Sequence, residues 1–188
     1  AGVRTLERTF AKVMRKAAVK ITEGYTGKIS VKPTGLEAYL GPKKYKPESQ
    51  GHKDEVGVVN GLAWTSVGGE MLKVEAVKMP GTGKLELTGS LGDVMKESAR
   101  TAYSYIRSIS EALPLDMDFY KNTDIHIHFP EGAVPKDGPS AGIAITTAVV
   151  SALTGIPVRA DIAMTGEVTL TGNVLPIGGL KEKTMAAY

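Results

Sequence analysis

A chain of 188 residues, 42% hydrophobic and 23% charged, is long enough to bury a core and is composed like a globular domain rather than a disordered one. With no cysteine it forms no disulfide and does no thiol chemistry, and no apolar run approaches membrane-spanning length, so a soluble, cytoplasmic protein is expected. The net charge of +3 conceals an uneven split: residues 1–50 hold 11 Lys and Arg against 4 Asp and Glu, and the remainder is net acidic. Such a basic end suits contact with nucleic acid or an acidic protein surface, although charges spread this widely more often decorate a solvated helix face.

Leu6, Phe10, Val13, Met14, Ala17 and Ile21 recur at helical spacing, with Arg8, Lys12, Arg15, Lys16 and Lys20 elsewhere, and predict one amphipathic helix over about 3–23. Residues 29–33 read as a short extended segment and 36–40 as a single helical turn. The Lys-, Pro- and Gly-rich stretch 41–55 reads as a linker and the main boundary. From Val56 the period changes to that of strands. Residues 56–64, 71–77 and 84–88, with turns at Gly68-Gly69 and at Pro80-Gly81-Thr82-Gly83, predict an antiparallel meander. Gly81, Gly83 and Lys84 do not make a nucleotide loop, because that motif needs Gly where Lys78 stands and Ser or Thr where Leu85 stands. A second amphipathic helix, carried by Leu91, Val94, Met95, Ser98, Ala102, Ile106 and Ile109, ends before Pro114. The strand 124–129 then alternates so that His126 and His128 share one face and Ile125, Ile127 and Phe129 the other.

That strand leads into Lys136-Asp137-Gly138-Pro139-Ser140-Ala141-Gly142, which sets Ser140 between two glycines where a tight turn opens a helix apolar nearly all round, ended by Gly155 and Pro157. Free N–H groups at the helix start favour an anion, or an oxygen gaining negative charge, beside Ser140. A serine there is most simply a cap. The glycine bracket favours two functional readings, a nucleophile beside a backbone oxyanion site or a phosphate-binding turn.

A nucleophilic serine needs a base. The order of an α/β-hydrolase is excluded, because His52, His126 and His128 all precede Ser140. Two strand histidines with no thiol partner are weak ground for a metal. Lysine remains a candidate, since burial lowers its pKa. Lys181 and Lys183 open the last helix after Gly178-Gly179 and face different directions, and spacing does not choose between them.

Three long motifs in order, residues 130–142, 164–172 and 175–183, closely resemble the proteolytic domain of the Lon protease family, as do Gly61-Leu-Ala-Trp64 and residues 92–98. The resemblance covers nearly the whole chain. It implies an α+β, mixed-sheet domain of the ribosomal S5 domain 2-like type, preceded by the N-terminal amphipathic helix. By position it implies that Ser140 is the nucleophile and Lys183 the general base of a serine–lysine dyad, and that Thr165 holds the lysine amine. Backbone N–H groups around Asp137 and Gly138 would form the oxyanion site. His126 would support the dyad, and Trp64 and Glu75 would line the substrate region. Residues 1–40 resemble the end of the ATPase small helical subdomain, with Arg4 like a nucleotide-sensing arginine. The implied division is therefore 1–40, linker 41–55, and proteolytic domain 56–188, with family members continuing beyond Tyr188.

The nucleotide loops are absent, so no cofactor is expected for this segment, with ATP and magnesium serving the full-length enzyme. The implied substrates are unfolded or damaged proteins, with hexamer assembly and scope for DNA binding by the full-length enzyme, and no membrane. Two alternatives stand beside this. One is a small-molecule kinase of the galactokinase-like group that uses the glycine turn for phosphate. The other is a non-catalytic assembly module.

Overall fold

The computed structural model describes residues 2–42, 53–65 and 68–188, and the chain divides into two compact units, Ala1–Gln50 and Gly51–Tyr188. The expected linker 41–55 lies largely outside the described residues, as does His52. In the first unit, helix α1 (Gly2–Thr22) is followed by a 3-10 turn (Pro33–Gly35) and the short helix α2 (Leu36–Leu40). Lys12 and Lys16 donate to the Leu40 and Ala38 carbonyls, and Lys20 sits over the Tyr39 ring. Of the helical stripe read from sequence, Val13 is buried, whereas Leu6, Phe10, Met14 and Ile21 are exposed.

The second unit holds a five-stranded mixed sheet ordered β3-β4-β2-β1-β5: β1 (Val58–Thr65), β2 (Gly68–Pro80), β3 (Leu85–Thr88), β4 (Thr123–His128) and β5 (Ala163–Met164). β1 and β2 form the expected hairpin, but pairing continues to Thr65 opposite Gly68, so Gly68 and Gly69 belong to the strand rather than to the turn. The expected three-strand meander is also corrected. β4 inserts between β2 and β3, antiparallel to the first and parallel to the second. The cause is its alternating face. Ile125 and Ile127 are fully buried, with Phe129 just beyond the strand, and a strand so apolar on one side lowers the free energy most in the interior of the sheet. The turn at Pro80–Gly83 is real, and the Asp124 carboxylate holds it by accepting the Thr82 and Lys84 N–H groups at 2.7 and 2.8 Å.

Helices α3 (Asp93–Ser108) and α5 (Gly142–Thr154) cover the apolar face of the sheet. Ala99, Ala102 and Ile106 of α3 and Ala144, Ile145, Ala148 and Val149 of α5 are buried there; small residues at helical spacing let the two helices approach closely. α5 ends as read, with Gly155 left-handed at φ 73° and its N–H on the Ser151 carbonyl. Lys78 donates to the Leu153 carbonyl in the last turn of that helix. The short helix α4 (Phe119–Asn122), not anticipated, buries Phe119 against Tyr103. After β5 come a small ribbon, β6 (Glu167–Val168) with β7 (Val174–Leu175), and helix α6 (Leu180–Ala187).

Candidate active site

Ser140 does not begin the buried helix. It sits in a 3-10 turn (Pro139–Ala141) just before α5, because Gly138 turns the chain at φ 118°, a conformation that favours glycine, and Pro139 then fixes the next φ. Two bonds hold this turn to the segment after β5: the Gly166 N–H donates to the Ser140 carbonyl at 2.8 Å, and the Thr165 hydroxyl donates to the same oxygen at 3.2 Å. One of the N–H groups expected to stand free at the helix start, that of Ile143, is donated to the Gly166 carbonyl.

The structure separates the two lysines that spacing leaves open. Lys181 is exposed, whereas Lys183 is 3% exposed, and burial pushes its amine below the usual lysine range because the ammonium form loses hydration. Lys183 Nζ donates to the Thr165 hydroxyl at 3.1 Å. Thr165 has a single proton, already committed to the Ser140 carbonyl, so it accepts from the lysine. When Lys183 is neutral, it therefore spends an N–H on Thr165 and keeps its lone pair. Among the described residues the Ser140 hydroxyl has no hydrogen-bond partner. The structure thus joins Lys183, Thr165 and the serine turn in one connected set.

Trp64 stands against the turn that starts α6: a side chain on Gly179 would meet its ring and Cβ at 2.8–3.2 Å. On the neighbouring strand and the same face, a Cβ on Gly69 would lie 2.0 Å from the Glu182 carbonyl oxygen, so α6 rests directly on β2 backbone. Trp64 and Gly69 are register partners, and together they fix the height and rotation of the helix that carries Lys183.

The remaining residues singled out in the sequence fall in two places. The Asp137 carboxylate accepts the Met95 N–H in the first turn of α3 and its neighbour's N–H at Gly138, both at 2.9 Å. The Gly138 N–H expected at an oxyanion site is therefore engaged by that carboxylate here. α3 has no side-chain cap of its own at Gly92. A helix beginning with an uncapped glycine is the signal that could have pointed to an outside cap. His126 and His128 share a face as read, joined by Thr88, whose hydroxyl lies 2.8 Å from His126 Nε2 and 2.7 Å from His128 Nδ1. Glu86 approaches His126 at 3.9 Å, and Glu75 pairs across from His128 on β2. No hydrogen bond or ion pair among the described residues links His126 to Ser140 or Lys183. The role of Thr88 was not foreseen; its position opposite His128 depends on β3 lying beside β4.

Residues 5–188 match the family model described as Lon protease (S16) C-terminal proteolytic domain. The chain is 60% identical over its whole length to a Lon protease of Finegoldia magna, and 57% identical to those of Clostridium acetobutylicum and Aquifex aeolicus. It spans about a quarter of these relatives, 24%, 24% and 23% of their respective lengths.

Proposed function

The chain belongs to the Lon protease (S16) C-terminal proteolytic domain family, a serine-type peptidase family, and we propose that it cuts polypeptide through Ser140 and Lys183. The observation that carries this reading is the buried, bonded amine of Lys183, one hydroxyl away from the turn that holds Ser140. Neutral Lys183 takes the Ser140 hydroxyl proton as Oγ attacks the peptide carbonyl. The amine then returns that proton to the leaving nitrogen, and water, activated by the same lysine, releases the acyl group. Thr165 keeps the amine aimed and its lone pair free. N–H groups of the 137–140 turn stabilise the oxyanion once the Asp137 carboxylate moves off the Gly138 N–H. We assign His126 a supporting part and Trp64 and Glu75 the substrate region.

The fold is proposed to be of the ribosomal S5 domain 2-like type. The longer enzyme is proposed to be a cytoplasmic, ATP-dependent hexamer that degrades unfolded or damaged proteins, with ATP and magnesium bound by parts that this chain does not span. DNA binding, where it occurs, belongs to that longer enzyme.

The test is a peptide boronate and a casein assay on the longer enzyme. The boronate is expected to form a covalent adduct at Ser140, and Ser140→Ala and Lys183→Ala are each expected to lower turnover by roughly three orders of magnitude or more with the far-UV spectrum unchanged. Full activity in Lys183→Ala would remove the lysine from the mechanism.

A further inference from the structure

β3 is an edge strand, and among the described residues the half of its backbone that faces away from β4 is unpaired. The Lys84 and Thr88 carbonyls are taken by the N–H groups of Ile125 and Phe129. In a parallel ladder the residues facing one neighbour alternate, so Leu85 and Leu87 direct their N–H and C=O groups to the open edge. Their side chains, half-buried, turn toward the core side of the sheet, and there a cleft of about 660 Å³ separates β3 from α3. Leu85, Leu87, Lys96, Arg100, Tyr103 and Ser104 line it, so its charged residues are both basic.

Two of these residues are left incomplete. Tyr103 is 8% exposed, and its hydroxyl, itself shielded from solvent, has no hydrogen-bond partner among the described residues. Lys96 is paired with Asp93 at 3.4 Å, but Arg100 is exposed and makes no ion pair among the described residues. Glu86, the acidic residue of β3, turns to the opposite face beside His126.

We propose that the open edge of β3 and the cleft beside it form a docking site for an extended, acidic peptide segment of another protein, separate from the Ser140 turn. The segment adds a sixth strand to the five-stranded sheet. Its backbone pairs with Leu85 and Leu87, and every second side chain falls on the α3 side, where a carboxylate meets Arg100. Apolar residues next to the carboxylates cover Leu85 and Leu87.

The test titrates the isotopically labelled 188-residue chain, carrying Ser140→Ala so that the ligand stays intact, with the capped peptide acetyl-Val-Glu-Val-Asp-Val-amide, followed by amide NMR. The Leu85 and Leu87 amides are expected to shift and to exchange more slowly with solvent. Binding is expected to weaken roughly tenfold in Arg100→Glu. The capped Val-Lys-Val-Lys-Val analogue is expected to bind at least roughly tenfold more weakly. Arg100 is exposed and its variant is expected to keep the native spectrum. The proposal is overturned if the shifts centre on Trp64 and Gly179 instead, if Arg100→Glu binds equally well, or if the lysine peptide matches the acidic one. Concentration-dependent dimers that protect Leu85 and Leu87 without peptide would give the edge to a second copy and overturn it too.

Discussion

At the scale of single residues, the pair to test is Thr165 and Lys183. If Thr165 acts by keeping the Lys183 lone pair free, Thr165→Val should lower kcat/KM by roughly ten- to a hundredfold, and Thr165→Ser, which restores the hydroxyl, should recover most of it. A purely structural role would leave the serine variant no better than the valine one. Burial also sets a sign for pH. The Lys183 amine titrates lower in the folded chain than in the unfolded one, so between those two values the unfolded state binds more protons. Stability is therefore gained as pH rises through that window and lost as it falls, and the active neutral amine accumulates in the same direction. Activity of the longer enzyme should rise with pH along a limb set by an apparent pKa below the ordinary lysine value. Lys183→Met should remove that dependence of the urea midpoint in this chain. A midpoint that tracks pH identically in both proteins would show that another group is responsible. Composition and spacing left Lys181 and Lys183 equal; what separates them is which side of α6 meets β2, and that is a tertiary fact.

At the scale of elements, two contacts decide where the machinery sits. α6 rests on Gly69 with no room for a methyl group, so Gly69→Ala should push the helix outward and cost about 1–3 kcal/mol of stability, together with a loss of activity larger than the stability change explains. Gly35→Ala, at a glycine with open space where the methyl group would go, is the control and should leave activity unchanged. The turn from β2 to β3 depends on Asp124, whose carboxyl is held below the usual range chiefly by the Lys84 and Thr82 N–H groups. A carboxylate of depressed pKa contributes stability above the ordinary carboxylate value and loses it as pH falls through the folded value. Asp124→Asn should therefore melt lower than the parent at about pH 7, and the gap should narrow as pH falls below the ordinary carboxylate value, as read by circular dichroism. Strand and helix positions were largely legible here, because the alternation of Ile125 and Ile127 and the glycine stop at Gly155 are local signals. The split of β2 from β3 was not. An antiparallel neighbour and an inserted parallel strand leave the same alternating pattern in the residues 84–88.

At the scale of the molecule, the site read from sequence draws on segments far apart in the chain, yet Trp64, Ser140, Thr165 and Lys183 all belong to the unit Gly51–Tyr188. The motifs announced those residues; the bonds among them depend on β5 pairing parallel to β1 and on α6 packing across β2, which no local pattern encodes. The two units also differ in what sustains them. Unit Gly51–Tyr188 has a continuous core around Phe119, Phe129, Ile106, Ile125, Ile127 and Ile145, whereas among the described residues of Ala1–Gln50 the buried hydrophobic side chains are Val13 and Tyr39. A 21-residue helix supported by so little burial is near the margin of stability in water. Heating this chain should therefore give two signals that do not coincide. Helical ellipticity should decline along a broad early slope as α1 frays, and the emission of Trp64, the one tryptophan, should hold until the larger unit unfolds cooperatively. Superimposable curves from the two probes would mean that the first unit draws its stability from the second and that the chain unfolds as one body.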